Sequence, residues 1–186
     1  RTPGFYKSQM NTDIFVRHYR AVADASPVPV LLYNFTAVTG VNIQPDAVSS
    51  LSSHPNIIGI KESGGDVAQI SAFVQGTPAD FAVLAGSSTT FHAAMRAGAT
   101  GGILALSCIV PDLCVRLHAL ARDAKHDEAA RLHEHSGVPL NVEALFAAVS
   151  GTGEGRVGVA LHGVPVERDV AAVLLEHERG FRLRGG

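Results

Sequence analysis

The sequence has no tryptophan, two methionines, two cysteines, and charged residues at only 17% of its 186 positions. Each shortage excludes something. Cys108 and Cys114 do not make a disulfide framework, and their spacing is not the Cys-x-x-Cys of a metal or redox motif; they read as two small buried side chains and point to a reducing compartment. Lysine and arginine number 15 against 17 aspartates and glutamates, for a formal charge of -2, so the basic excess of a nucleic-acid-binding domain is missing. Long hydrophobic runs are missing too: Val28 to Tyr33 and Val157 to Leu161 fall far short of the roughly 20 apolar residues that cross a bilayer. The chain starts at Arg1 with no apolar or Arg-rich amphipathic leader, and it reads as a portion of a longer protein.

What is present is apolar material in short pieces. Hydrophobic residues make up 46% and mean hydropathy is +0.19, enough for a sizeable core and too much for a disordered chain. Val28 to Tyr33, Ile57 to Lys61, Phe81 to Ala85 and Gly102 to Leu106 are short, nearly continuous apolar runs bounded by Pro, Asn and Gly, the pattern of strands buried on both faces. Between them lie helix signals: Thr12 to Ala23 capped by Asn11 or Thr12, Pro45 to Ser52, Asp66 to Val74, and Thr89 to Ala97 ending at Gly98. Strands alternating with helices of this length predict βαβ units and a parallel sheet.

Beyond Pro111 the pattern is helical, over Leu113 to Ala124 and His126 to His135, with a break expected at His126-Asp127. After Ser136 it changes again: a helix is expected over Leu140 to Val149, a Gly-rich loop over Ser150 to Gly158, and a further helix over Glu167 to Arg179. No repeat of solenoid length stands out. Four or five parallel strands fit either a small doubly wound sheet or part of a (β/α)8 barrel. Both put ligands at the carboxyl ends of strands, where this sequence carries Tyr33, Lys61, Gly86 with Ser87, and Ser107.

Lys61 carries the most information. Strand alternation puts Gly59 and Lys61 on one face and Ile58 and Ile60 on the other. If the isoleucines meet helices, Lys61 points into the sheet or barrel centre. Desolvation there favours the neutral amine, a nucleophile suited to Schiff-base formation with a carbonyl compound. The plainer reading is a lysine that reaches solvent from the strand end or pairs with Glu62. Tyr33 ends the preceding strand at the same level, and adjacent strands lie about 4.8 Å apart, so its phenol could relay a proton; alone it reads equally as a core tyrosine.

The loop Lys61-Glu62-Ser63-Gly64-Gly65-Asp66 leads into a helix with backbone N–H groups and a hydroxyl that could hold a carboxylate, and it reads equally as a short Gly turn with no further role. Gly86-Ser87-Ser88-Thr89 is either a second anion-holding turn or a cap for the next helix. The nine histidines form no ligand pattern: His133 and His135, two apart on a helix, face different ways, and His118, His126 and His177 lie in charged helical stretches, so no metal is expected. Gly151-Thr152-Gly153-Glu154-Gly155 lacks both the P-loop lysine and the strand that precedes a dinucleotide fingerprint.

The combination resembles the pyruvate-dependent class I aldolase superfamily that includes dihydrodipicolinate synthase and N-acetylneuraminate lyase. The matching stretches are Thr2-Pro3-Gly4-Phe5-Tyr6, Pro29 to Asn34, Thr39-Gly40, His54 to Asp66, and Gly98 to Gly102, in order and spacing over residues 1–136. The resemblance implies a (β/α)8 TIM barrel of which the chain carries about the second half, strands 5 to 8, over residues 1–136. Residues 137–186 would be a divergent C-terminal helical extension, lacking the Pro-Arg-x-Pro-Leu-like ending of the family.

It also implies roles. Lys61 resembles the Schiff-base lysine, Tyr33 the proton-relay tyrosine, and Tyr6 the tyrosine that completes the relay, in many members from a neighbouring subunit. Ser63, Gly86 and Ser87 are the candidate substrate contacts. Val38 stands where dihydrodipicolinate synthases usually carry an arginine before Thr-Gly, and the lysine loop looks closer to 4-hydroxy-2-oxoglutarate aldolases, which release pyruvate and glyoxylate.

The expected activity is thus a metal- and cofactor-free lyase acting on 2-oxo acids. A dihydrodipicolinate synthase or a 2-keto-3-deoxy sugar-acid aldolase is the alternative within the family, and an inactive half-barrel, surviving as a fragment or an interaction partner, the alternative outside it. A small-molecule 2-oxo acid is the expected partner, with no nucleic acid and no membrane, a homotetramer for the full-length protein, and a cytoplasmic or mitochondrial location.

Overall fold

Four parallel strands alternate with helices, and each of the first three pairs with the next strand in the chain. The computed structural model describes residues 10–108 and 110–135 together with two short strands beyond them. Helix α1 (Thr12–Ala25) leads into β1 (Val30–Asn34), the short α2 (Thr36–Thr39) and α3 (Pro45–Leu51). Then come β2 (Ile57–Glu62), α4 (Val67–Gly76), β3 (Ala82–Ala85), α5 (Phe91–Arg96) and β4 (Gly101–Gly102). Helices α6 (Pro111–Arg122) and α7 (His126–His135) follow, and β5 (Val159–Leu161) and β6 (Val164–Val166) form an antiparallel pair. The helices expected over 140–149 and 167–179, and the Gly-rich loop over 150–158, lie outside the described residues.

The order β1-β2-β3-β4 decides between the two architectures the sequence allowed. A doubly wound sheet reverses strand order at a switch point and carries helices on both faces. Here the order is sequential and, among the described residues, helices cover one face alone. Leu32, Ile60 and Val83 are buried against Phe15 and Tyr19 of α1, Val48 and Leu51 of α3, Ile70 and Phe73 of α4, and Phe91 of α5, which belong to one core cluster. On the other face Leu31 is 36% and Tyr33 47% exposed. This is the inner wall of a (β/α)8 barrel, seen over half its circumference.

The local signals work as expected at several ends. Asn11 caps α1, its Oδ1 accepting the Ile14 N–H at 3.1 Å, and Asp66 caps α4 by accepting from Gln69 N at 3.1 Å. Asn56 holds the entry to β1 and β2 together, its Nδ2 donating to the carbonyls of Ala23, Ser26 and Val28.

Four expectations fail. Ile58 is 47% exposed rather than packed on helices, because the pairing slips between Val30, opposite Ile57, and Leu31, opposite Gly59, which leaves Ile58 unpaired. The fourth strand is only Gly101–Gly102. Once the Ile103 N–H has bonded Ala85 O at 2.9 Å the partner strand is used up, and Ala105–Cys108 turns into a 3-10 helix that holds Ser107. Cys108 is therefore exposed, whereas Cys114 is half-buried and burial pushes its thiol above the ordinary value. The break between the last two helices falls at Asp123–Lys125. Ala124 takes φ 57° and the Lys125 N–H reaches back to Leu120 O at 2.9 Å, a Schellman-type ending.

Helices α5 and α7 meet through imidazoles: the His92 ring lies 6.0 Å from His133 and 6.4 Å from His126, centroid to centroid. Burial pushes the His92 pKa below 6.5, helped by His133, Arg96 and His126 and opposed by Glu134. A neutral folded His92 means that the unfolded chain binds more protons once pH drops below that ordinary value. The stability it contributes is complete above about pH 6.5 and is lost as pH falls through the lowered folded value. Urea midpoints measured from pH 8 to pH 5 are expected to fall on the acid side, and less steeply in His92→Gln.

Candidate active site

The carboxyl ends of the strands bring together residues that are far apart in sequence. Tyr33 of β1 and Lys61 of β2 are register partners, both on the uncovered inner face. Lys61 Nζ sits 4.4 Å from the centroid of the Tyr33 ring, within cation–π distance. The lysine is half-buried, so its amine is neither on the free surface nor sealed away. It does not pair with Glu62. Adjacent strand residues point to opposite faces, and Glu62, 1% exposed, lies on the helix side.

Ser63 comes next. Its Oγ is shut off from solvent and has no hydrogen-bond partner in the structure, an unmet polar group beside the lysine. Gly86, just past the end of β3, lets this crowding happen. A Cβ there would overlap Ser63 Oγ and stand 2.9 Å from Lys61 Cε, so only glycine allows Ser63, Lys61 and the third strand end to meet. The structure thus brings Lys61, Tyr33, Ser63 and Gly86 into one cluster. Ser87 lies at its edge, its Oγ 2.8 Å from Thr89 Oγ1. Tyr6 lies outside the described residues.

The two turns differ from expectation. The Ser63 and Gly64 amides are already used: Ser63 N donates to Asn34 O at 2.9 Å, and Gly64 N to Glu62 Oε1 at 2.5 Å. Two of the turn's amides are thus already engaged, while the Ser63 hydroxyl is without a partner. The N-cap of α5 is Thr90, one residue past the Gly86-to-Thr89 turn, and it makes no side-chain cap bond.

Sequence reasoning missed what lies beneath. On the helix side, directly under Tyr33 and Lys61, Asn34 and Glu62 are also register partners, and both are buried. Asn34 Nδ2 donates to Glu62 Oε2 at 2.5 Å and to Asn42 Oδ1 at 2.7 Å, and Gln69 Nε2 donates to Glu62 Oε2 at 2.9 Å. A signal was available: polar Asn34 and Glu62 occupy the strand parity otherwise filled by Leu32 and Ile60. Among the described residues no group of three or more His, Cys, Asp and Glu is placed to hold a metal ion, though the His92, His126 and His133 cluster was also not foreseen.

A lysine, a tyrosine and an unmet serine at the ends of successive barrel strands are joined by a family match. The model of the dihydrodipicolinate synthetase family matches residues 2–169. The chain belongs to this family. The match runs past Pro139, where the motifs readable by eye give out. A 4-hydroxy-tetrahydrodipicolinate synthase of Stenotrophomonas maltophilia is 40% identical over 146 residues, covering 72% of this chain and 48% of that protein. A protein of Emericella nidulans named "Probable 4-hydroxy-2-oxoglutarate aldolase, mitochondrial" is 37% identical over 131 residues, covering 70% and 42%.

Among solved structures, 4-hydroxy-tetrahydrodipicolinate synthase from Methylacidiphilum fumariolicum superposes with a TM-score of 0.70 at 28% identity, over 94% of this chain and 61% of that one. A dihydrodipicolinate synthase from Bacillus anthracis gives a TM-score of 0.66 at 26% identity, over 96% and 63%. The chain spans about half the length of the curated relatives it matches. Among the described residues of this family member no helix is long and apolar enough to cross a membrane.

The close packing around Gly86 is testable. Gly86→Ala is expected to lower stability by about 1–3 kcal/mol through overpacking. Adding Ser63→Gly removes the side chain that the new methyl meets, and should recover part of the loss in thermal melting.

Proposed function

We propose that the protein of which this chain is part is a Schiff-base-forming lyase acting on 2-oxo acids. The observation that carries the proposal is Lys61 on the inner barrel wall, half-buried, over the Tyr33 ring and beside the unmet Ser63 hydroxyl. Neutral Lys61 attacks the ketone carbon of the substrate, and the carbinolamine oxygen leaves as water with a proton from the Tyr33 phenol, which gives an iminium and a Tyr33 phenolate. In the cleavage direction the C3–C4 bond breaks, its electron pair moves into the iminium to give an enamine, and the C4 hydroxyl proton passes to Tyr33 as the aldehyde forms. Protonation of the enamine at C3 and hydrolysis release pyruvate and restore the amine. Ser63 would hold the substrate carboxylate or the carbinolamine oxygen, Gly86 and Ser87 would shape the floor, and Tyr6 would extend the proton relay.

For the substrate we propose 4-hydroxy-2-oxoglutarate, cleaved to pyruvate and glyoxylate. Val38 supports this reading: it is 73% exposed on α2, at the mouth beyond Tyr33, where an arginine marks many synthases of the family. The relatives carry both names, so condensation of pyruvate with an amino-aldehyde acid is the alternative. The exposed inner wall favours a second reading of the chain by itself. With Leu31 and Tyr33 open to solvent, and β1 and β4 each paired on one side only among the described residues, this half-barrel would be catalytically silent until the wall is closed. A tetramer would be the assembly of the complete protein.

Incubation with pyruvate and borohydride, followed by peptide mass spectrometry, tests the chemistry. A reduced adduct on Lys61 is expected, absent in Lys61→Arg, with turnover in Tyr33→Phe lower by about 100-fold or more. An adduct only on a version extended by the N-terminal barrel strands makes this chain a silent half-barrel. No adduct on either contradicts the lyase reading.

A further inference from the structure

Among the described residues one carboxyl group, that of Glu62, lies sealed beneath the proposed site, surrounded by donors. Glu62 Oε1 accepts from Gly64 N at 2.5 Å, and Oε2 accepts from Asn34 Nδ2 at 2.5 Å and from Gln69 Nε2 at 2.9 Å. The partners are themselves fixed. Ile43 N donates to Asn34 Oδ1 at 3.0 Å, which sets the orientation of that amide and points its nitrogen at Glu62. Asn42 Nδ2 donates to Gln69 Oε1 at 2.7 Å, and Asn42 Oδ1 accepts from Asn34 and Gln69 at 2.7 and 3.0 Å. Every donor faces an acceptor, and a carboxylate, which only accepts, is the side chain that meets three N–H groups without conflict.

A buried carboxylate held by amides alone is an expensive way to stabilise a sheet, since apolar packing of similar volume does as well or better. Its position accounts for it. The Asn34–Glu62 pair is the next register pair after Tyr33–Lys61, so it ties the same two strand ends from the opposite face. Through Gly64 it also fixes the turn that carries Ser63, and through Gln69 the first turn of α4. The Glu62 carbonyl takes the Gly86 N–H at 2.7 Å, so the same residue anchors the third strand end.

We infer that Glu62 is a positioning residue: its carboxylate, through Asn34, Gln69 and the Gly64 amide, holds Lys61, Tyr33 and Ser63 at the mutual geometry that Schiff-base chemistry needs. This rests on the proposed function for its catalytic consequence, while the hydrogen-bond arrangement stands by itself. Glu62→Gln keeps the shape but forces an amide N–H against a donor, whichever way it turns. The swap Asn34→Asp with Glu62→Gln restores every bond. The new carboxylate at position 34 accepts from Ile43 N, from Asn42 after its amide turns over, and from the new amide at position 62. The amide oxygen at position 62 keeps Gly64 N, and its nitrogen donates to Gln69 once that side chain has turned over too.

The experiment compares wild type, Glu62→Gln and the swap in borohydride trapping with pyruvate, with thermal melting and hydrogen exchange at the Gly64 amide followed in parallel. Glu62→Gln is expected to lower the maximal trapping rate by about 10- to 100-fold, as a misplacement of an ångström does, with a smaller change in the half-saturating pyruvate concentration. Gly64 exchange should speed up as well, and the swap should restore both. Unchanged trapping in Glu62→Gln, or a swap that recovers melting but not trapping, overturns the inference. If this chain forms no adduct, the same three variants are compared in the version extended by the N-terminal barrel strands; no adduct there either means that the proposed function fails instead, and Gly64 exchange still decides the network: equal protection in wild type and Glu62→Gln overturns it.

Discussion

Strand pairing in β1 and β2 constrains everything else, because side chains alternate and one register decides two faces at once. With Leu32 opposite Ile60 and Val83 beside them, the apolar parity goes under the helices. Tyr33 and Lys61, one residue further along each strand, then have to stand on the inner wall. A slip of one residue would turn Leu32 or Ile60 to solvent, at about 1.5–3 kcal/mol for each such side chain, and would carry the lysine into the helix layer. Helix packing on the far face thereby aims the Lys61 amine at the inner wall. The irregularity at Val30 and Leu31 is absorbed at the amino end of the sheet, where Ile58 becomes exposed, and the carboxyl end stays in step.

The site is accordingly built in two storeys. Above the sheet, Lys61, Tyr33, Ser63 and the space left by Gly86 offer a nucleophile, a phenol and an unmet hydroxyl. Below it, Asn34, Glu62, Asn42 and Gln69 satisfy one another. Covalent chemistry needs reacting groups held closer than a flexible strand end would hold them, and a saturated polar network resists drift where apolar packing would permit it.

Much of this was legible in the residues. The first three strands follow from short apolar runs bounded by turn residues, the inner face of Lys61 and its level with Tyr33 from side-chain alternation, and the family resemblance joins them. What was hidden is hidden for physical reasons. The shortness of Gly101–Gly102 depends on where β3 ends, and the exposure of Ile58 on a register slip, neither of which is a property of the segment itself. The Ser63 and Gly64 amides looked free for a ligand because their partners, Asn34 O and the Glu62 carboxylate, belong to a neighbouring strand and to the far side of the sheet. The meeting of His92 with His126 and His133 requires α7 to fold back on α5, which no local spacing encodes.

The central claim is that strand register places a reactive Lys61 amine on the inner wall, between the Tyr33 ring and the Ser63 hydroxyl. A crystal structure of the protein reduced with borohydride in the presence of pyruvate reads this directly. The account predicts continuous density from Lys61 Nζ into a three-carbon acid lying on the inner wall, with an oxygen within hydrogen-bond distance of Ser63 Oγ. Density extending from another lysine, or a Lys61 side chain turned away from Tyr33 and Ser63 in the reduced complex, would contradict it.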